Sequence, residues 1–120
     1  MNSNSDIFFY PLKVEMSTTN GGVIYSYEDI LYITCDKPYL IVNCINGRKI
    51  HIEDTLKNIR GQLPPMFFQC NKSTIINFHH LTEYFKNPWV LKMSDGALIP
   101  LSYRRVTEFK RHKASQLQNV

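Results

Sequence analysis

The fold of this chain is decided by residues 67–77, Phe67-Phe68-Gln69-Cys70-Asn71-Lys72-Ser73-Thr74-Ile75-Ile76-Asn77. Two short apolar segments, 67–70 and 75–77, flank four polar residues, a pattern that predicts two strands joined by a tight connection. The amide, ammonium and hydroxyl groups of that connection are the kinds that contact phosphates and base edges in nucleic acids. An ordinary surface turn explains the same composition more simply, so the segment alone leaves both interpretations open.

Short apolar runs separated by turn residues continue on both sides of this segment. Asn46-Gly47 and Asp95-Gly96 are strong hairpin signals, and Pro38 interrupts the chain at another predicted turn. Further strands are predicted at 23–27, 31–35, 39–45, 48–52, 81–86, 89–93 and 97–101. This spacing of strands is typical of a mainly β fold.

Two helices complete the predicted elements. Asp54 or Thr55 can cap a short helix that Pro64-Pro65 stops, and a closing helix is predicted over 102–114. Residues 1–22 are polar apart from 7–10, and they are predicted to form a partly disordered arm with one candidate strand at 8–10. The domain is then expected to span 23–114, with a polar tail at 115–120.

The positive charge of the chain comes from its C-terminal end. The chain carries 14 Lys and Arg against 10 Asp and Glu, a formal net charge of +4. Residues 1–100 hold nine basic and nine acidic residues, and the last 20 hold five cations and Glu108. A total of +4 does not by itself indicate nucleic-acid binding, but its location identifies one positive edge.

Several classes of protein are excluded by the sequence. No apolar run approaches the roughly 20 residues of a membrane span, and the N-terminus lacks the features of a signal peptide. Cys35, Cys44 and Cys70 form no CxxC pair, and reduced buried thiols fit a cytoplasmic protein. Phosphate-loop, dinucleotide-binding and hydrolase motifs are absent. Adjacent His79 and His80 would point to opposite faces of a strand. We therefore predict no enzyme activity, no cofactor and no metal site.

A second polar stretch, Ser102-Tyr103-Arg104-Arg105, has two interpretations of equal weight. Ser102 is a good helix cap, and the two arginines would then lie in the first turn, where the helix dipole disfavours cations. A phosphate bound by the helix N–H groups and the guanidinium groups would relieve that cost. Solvated arginines whose cost is tolerated are the alternative. The third polar stretch, with Lys37 and Tyr39, is compatible with an ordinary hairpin connection or with a nucleic-acid contact.

Four segments in this order resemble the LytTR-type DNA-binding domain, the output module of many bacterial response regulators. The resemblance covers roughly residues 23–112. The four segments are Tyr27-Glu28-Asp29-Ile30-Leu31-Tyr32-Ile33, Thr55-Leu56-Lys57-Asn58-Ile59 with Leu63-Pro64, Phe67 to Asn77, and Met93-Ser94-Asp95-Gly96 with Ile99-Pro100-Leu101-Ser102-Tyr103-Arg104-Arg105.

This resemblance implies an elongated stack of small antiparallel β-sheets with one short mid-chain helix and a C-terminal helix. It also implies that loops, rather than a recognition helix, enter successive major grooves on one face of a bent DNA duplex. Carried over by position, the predicted DNA-contacting residues are Lys37, Tyr39, Asn71, Lys72, Ser73, Asn77, Ser102, Tyr103, Arg104 and Arg105.

The chain departs from the family pattern in three places. The family usually has His-Arg-Ser at 71–73, and Lys72 keeps the charge but lacks the fork that binds guanine bidentately. Tyr103 stands where an arginine usually follows the serine. A phosphoreceiver domain normally precedes this module, whereas about 22 residues do so here. The chain is therefore a stand-alone regulator or part of a longer one, and Met1 favours the first.

Two further expectations concern partners. Family sites are often paired repeats, which implies a second copy of the chain on the same DNA, while the sequence does not indicate a sensor partner. A protein-interaction module that has kept the fold is an alternative function. A small β-domain that binds single-stranded RNA is another, and it would need exposed aromatic side chains such as Tyr25, Tyr27, Tyr32 and Tyr39.

Overall fold

The computed structural model of the protein describes residues 7–118. Within that range the chain forms three antiparallel sheets and two α-helices. The N-terminal sheet consists of β1 (Ile7–Phe9), β2 (Lys13–Thr18) and β3 (Gly21–Ser26). The central sheet has the spatial order β6 (Lys49–Ile52), β5 (Tyr39–Cys44), β4 (Ile30–Asp36), β8 (Thr74–Asn77) and β7 (Phe67–Asn71). The C-terminal sheet has the order β11 (Leu98–Pro100), β10 (Val90–Met93) and β9 (Leu81–Phe85).

The central sheet is covered on both faces by apolar side chains. Successive residues of a strand point to opposite faces, so Ile75 packs in one core and Ile76 in the other. The first core joins the central sheet to the N-terminal sheet and to α1 (Leu56–Arg60). The second joins it to the C-terminal sheet and to α2 (Val106–Leu117). Stacking three small sheets in this way gives a molecule of 43 × 29 × 24 Å, which confirms the elongated mainly β fold.

The turns of the central sheet lie at two opposite ends. Strand β4 pairs antiparallel with both β5 and β8, so its residue Thr34 lies beside Ile41 on one side and Thr74 on the other. The β4–β5 and β7–β8 turns therefore share one end of the sheet. The β5–β6 turn lies at the other end, where Asn46 and Gly47 adopt the positive φ values of 63° and 75° that the Asn-Gly pair predicts.

The helices begin and end for local reasons. Helix α1 is capped by Thr55, whose hydroxyl oxygen accepts a hydrogen bond from the Asn58 N–H at 3.2 Å. It ends at Arg60, before the proline pair that cannot continue it. Helix α2 is mostly polar, and Phe109 is its one buried residue in the described range. Phe109 therefore anchors α2 in the second core, next to half-buried Val106, which also packs against it.

The predicted N-terminal arm holds more regular structure within residues 7–22 than the sequence indicated. Strands β1 and β2 lie there, and Ile7, Val14 and Met16 are between 0 and 5% exposed in the first core. Residues 1–6 lie outside the described part of the chain. The candidate strand near Phe8 is confirmed as β1. The division of the chain into an arm, a domain and a tail stays a prediction, although α2 continues into the predicted tail as far as Leu117.

Candidate nucleic-acid interface

Three polar loops that are distant in sequence come together at one end of the central sheet. We name them loop A (36–39), loop B (71–73) and loop C (100–105). The Cys35 N–H, just before loop A, donates to the Ser73 carbonyl of loop B at 2.9 Å. The Ser102 N–H of loop C donates to the Cys70 carbonyl, also at 2.9 Å. Loop B therefore lies between loop A and loop C, and main-chain hydrogen bonds hold all three in place.

Asn71 organises loop B through its side-chain amide. Its Oδ1 accepts hydrogen bonds from the N–H of Ser73 at 2.9 Å and from the Ser73 hydroxyl at 3.1 Å. Its Nδ2 donates to the carbonyl of Pro100 in loop C at 2.8 Å. Because these groups are already engaged, Asn71 fixes the conformation of the loop, while Lys72 and Ser73 are the exposed side chains that it presents.

Loop A presents Lys37 and Tyr39 to solvent. The ring of Tyr39 packs edge-on against His51 of β6 with 6.3 Å between centroids, which fixes its position from the neighbouring strand. Lys37 and Lys72 line one groove of about 990 Å³ together with Lys57 and Arg60 of α1. Lys57 and Arg60 were not predicted as part of a site. The signal available in the sequence was two basic residues in a short helix that follows the capping residue Thr55.

Loop C differs from its predicted form. A helix beginning at Ser102 was expected, but residues Tyr103–Arg105 form a 3-10 turn closed by an Arg105 N–H to Ser102 carbonyl hydrogen bond of 2.9 Å. Helix α2 then begins at Val106, and the Ser102 hydroxyl caps nothing. Ser102 therefore occupies the N-cap position predicted for it, but at the start of the 3-10 turn that precedes α2 and without a side-chain capping hydrogen bond.

The two arginines of loop C have different surroundings. Arg105 is only 22% exposed at its side chain and pairs with Glu108 at 3.5 Å. Arg104 is exposed, and the neighbouring Tyr103 is 86% exposed, an unusual position for an aromatic side chain that touches so little protein. Tyr103 and Arg104 are thus the side chains of loop C that project into solvent, whereas Arg105 is held against the protein by its ion pair with Glu108.

The thiol of Cys70 lies directly beneath loops B and C. Burial raises its pKa to about 12, while nearby Arg105 lowers it by a smaller amount. The thiol is therefore protonated and neutral near pH 7, so it does not offset the positive charge of the loops. In the described range no group of three or more His, Cys, Asp or Glu side chains is arranged to hold a metal ion.

Asn77 does not belong to the interface, and its prediction as a DNA contact is wrong. It is 0% exposed and lies at the end of β8 away from loop B. Its Nδ2 donates to the carbonyls of Tyr27 at 3.2 Å and Ile30 at 2.8 Å, and its Oδ1 accepts from the His79 N–H at 2.9 Å. Asn77 therefore connects two chain segments, 27–30 and 77–79, inside the protein.

Replacing Asn77 by alanine is expected to lower the free energy of unfolding by about 2–4 kcal/mol. The change leaves two buried carbonyl groups and one N–H group without their partner. Urea unfolding monitored by circular dichroism measures the loss, with exposed Ser73→Ala as the control variant. A loss below about 0.5 kcal/mol would contradict the structural role assigned to Asn77.

The fold and the loops together define a class of protein, and a match to a protein-family model identifies the family. An elongated stack of sheets that holds basic and hydrogen-bonding loops at one end has the features of a nucleic-acid-binding module. The family model of the LytTr DNA-binding domain matches residues 21–114, and the chain belongs to this family. It is a family of DNA-binding domains, not of enzymes.

The structure is also similar to a solved one. A LytTr DNA-binding domain from Bacillus cereus, described as part of a response regulator, matches with a TM-score of 0.76 and 20% sequence identity. The match covers 86% of this chain and 97% of the other, which confirms the fold. No curated protein matches the chain.

Proposed function

We propose that this chain is a bacterial transcription regulator that binds double-stranded DNA by inserting loops A, B and C into the major groove. One observation carries the proposal: loops from three distant parts of the sequence are hydrogen-bonded into one edge. That edge presents Lys37, Lys72 and Arg104. Membership of the LytTr family supports DNA as the ligand. The likeness to the Bacillus cereus domain supports the fold on which the loops are mounted.

The exposed side chains divide into two roles. Lys37 and Lys72 carry compact ammonium groups suited to phosphate oxygens, whereas the planar guanidinium of Arg104 can bind either a phosphate or the acceptor edge of guanine. Tyr103 supplies a hydroxyl group that can donate and accept hydrogen bonds, and the Ser73 hydroxyl, which donates to Asn71, can still accept one. Asn71 positions loop B and contacts DNA little, because its amide is already bonded to Ser73 and Pro100.

We propose the bacterial cytoplasm as the location of this activity. We also propose that a second copy of the chain binds the other half of a paired repeat. Across residues 7–118 there is no helix of the length and apolarity needed to cross a membrane. A regulator with one contact edge per chain gains specificity when two copies bind neighbouring half-sites, because each copy adds its own base contacts.

The RNA-binding alternative loses its structural basis. It required exposed aromatic side chains on one sheet face, but Tyr27 and Tyr32 are only 3% and 9% exposed. The Tyr27 hydroxyl donates to the carbonyl of Tyr10, and the Tyr32 hydroxyl donates to Asp95, so both are committed inside the protein. Tyr25 is half-buried and only Tyr39 is exposed, at 44%, so this set of residues does not present several exposed rings for stacking.

A titration of duplex DNA at several salt concentrations tests the proposed function. About four to six phosphate contacts predict a slope of log K against log salt near −4 to −5. A single-stranded oligonucleotide of the same sequence serves as the comparison and should bind more weakly. A slope near zero would refute DNA binding and favour the protein-interaction module instead.

A further inference from the structure

A cluster of lysines and aromatic rings lies next to loop C and is not part of the interface described above. We name it the lysine–aromatic patch, and its members are Tyr84, Lys86, Trp89, Lys110 and Lys113. The rings of Tyr84 and Trp89 stack with 5.9 Å between centroids and 9° between their planes. Buried Phe109 supports both rings edge-on at 5.8 and 6.3 Å. The patch is therefore a firm surface built by the β9–β10 hairpin and α2.

The rings hold three ammonium groups at this surface. Lys86 and Lys110 lie 5.7 and 5.6 Å from the Trp89 centroid, and Lys113 lies 5.3 Å from that of Tyr84. Cation–π attraction of this kind positions a charge without neutralising it. Between residues 7 and 118 no carboxylate lies within 4.0 Å of these three ammonium groups. Glu108, on the same helix as Lys110 and Lys113, pairs with Arg105.

This arrangement points to a polyanionic ligand. Three like charges held in one small area repel one another, and the repulsion is relieved when several negative groups bind together. A carboxylate on α2 beside the lysines would stabilise the isolated protein better than a further cation does. The exposed Arg111 instead adds to the positive charge of this helix.

The patch is continuous with the proposed DNA-binding edge. The Leu101 N–H donates to the carbonyl of Trp89 at 3.1 Å, whereas the Pro100 carbonyl accepts from Asn71 of loop B and the Ser102 N–H donates to Cys70 just before it. Loop C therefore lies between loop B and the patch. Exposed Tyr103 and half-buried Trp89 line the same shallow depression of about 350 Å³, so a ligand that touches Tyr103 reaches the patch next.

We propose that the lysine–aromatic patch is a fourth DNA contact, which binds backbone phosphates of the duplex that flanks the base pairs contacted by loops A, B and C. The inference rests on the proposed function, because it extends the same duplex beyond loop C. Phosphates at regular spacing along a backbone match several fixed ammonium groups better than one isolated anion does. The contact adds affinity that depends on duplex length and on salt, and it adds no base preference.

Two duplexes and two matched variants test this proposal. Selection from a random library supplies the DNA sequence that the protein binds. The core duplex contains only this sequence, and the extended duplex adds about ten base pairs on each side. The test variant is Lys86→Gln with Lys110→Gln, which removes both ammonium groups at Trp89. The control variant is Lys13→Gln with Arg48→Gln, which removes the same charge at exposed positions. Arg48 adjoins the β5–β6 turn, at the opposite end of the central sheet from loops A and B.

Trp89 provides a direct readout, because it is the only tryptophan of the chain. The extended duplex should protect its fluorescence from quenching by iodide, and the core duplex should protect it much less. The test variant should bind the extended duplex about 5- to 20-fold more weakly than wild type, with the salt slope smaller by about 2. On the core duplex, it should match wild type within about twofold.

The outcomes separate the two proposals. If wild type binds neither duplex, the proposed function itself fails. If wild type binds both duplexes but the test variant equals the control variant on the extended duplex, the fourth contact is refuted and the proposed function stands. Unchanged iodide quenching on the extended duplex would likewise refute it, and protection of Trp89 by an acidic protein but not by DNA would assign the patch to a protein partner.

Discussion

Replacement of both Lys72 and Arg104 by alanine is expected to weaken binding to the selected duplex by about 30- to 1,000-fold, equivalent to about 2–4 kcal/mol. Both side chains are exposed, and they lie on loops that share main-chain and side-chain hydrogen bonds. Lys72 loses a phosphate contact, and Arg104 loses either a second phosphate contact or a guanine contact. A DNA titration at several salt concentrations measures both the affinity and the slope, and the slope should become less negative by about 1 to 2.

A double alanine variant at two cations remote from the loops provides the control. Lys13→Ala with Arg48→Ala removes an equal charge from exposed positions on β2 and beside the β5–β6 turn. That variant should bind within about threefold of wild type, because only the long-range field changes and salt screens it over about 8 Å. Equal affinities of the Lys72, Arg104 variant and wild type would refute loop-mediated DNA binding. Equal losses in both variants would mean that net charge, and not loop position, controls the affinity.

The second large effect concerns stability. Phe109→Ala is expected to lower the free energy of unfolding by about 3–5 kcal/mol, as is usual for the loss of a fully buried aromatic ring. Phe109 is 0% exposed and packs against Phe68 and Phe78 with centroids 6.0 and 5.7 Å apart. Since α2 buries no other residue, the helix would lose its main contact with the second core.

Urea unfolding of the wild type and two variants measures this loss. Leu117→Ala serves as the control, because that side chain lies on the same helix and is 46% exposed. The control should change the free energy of unfolding by less than about 0.5 kcal/mol. A loss below about 1 kcal/mol in Phe109→Ala would show that α2 is held by its polar contacts instead.

Much of the fold could be predicted because its signals are local. A type I′ turn requires positive φ at two successive positions, and Asn46-Gly47 is a pair that adopts it readily. This pair therefore specifies a hairpin almost alone. Thr55 and the proline pair after Arg60 define the two ends of α1 in the same way. Strand β2 was missed because its apolar residues, Val14 and Met16, stand among polar neighbours and are buried only by packing in the first core.

The candidate site could be predicted only in part, because its geometry depends on distant segments. The residue types of loops A, B and C were visible, but their meeting depends on how β4, β7 and β8 align, which no local pattern specifies. Asn77 has the side chain of a DNA contact, yet the carbonyls of Tyr27 and Ile30 determine that it is buried. Lys57 and Arg60 line the groove because α1 lies beside loop A, and this placement also depends on segments that are distant in the sequence.

The hydrogen bonds that join loop B to its neighbours have a consequence for the DNA. The Cys35 to Ser73 and Ser102 to Cys70 bonds fix the spacing of the three loops before any ligand arrives. In the proposed complex the protein has little freedom to follow the shape of a straight duplex, and we expect the duplex to bend and twist to meet the loops. Base pairs between the contacted positions will therefore influence affinity through their stiffness, with flexible pyrimidine–purine steps favoured at places that no side chain touches.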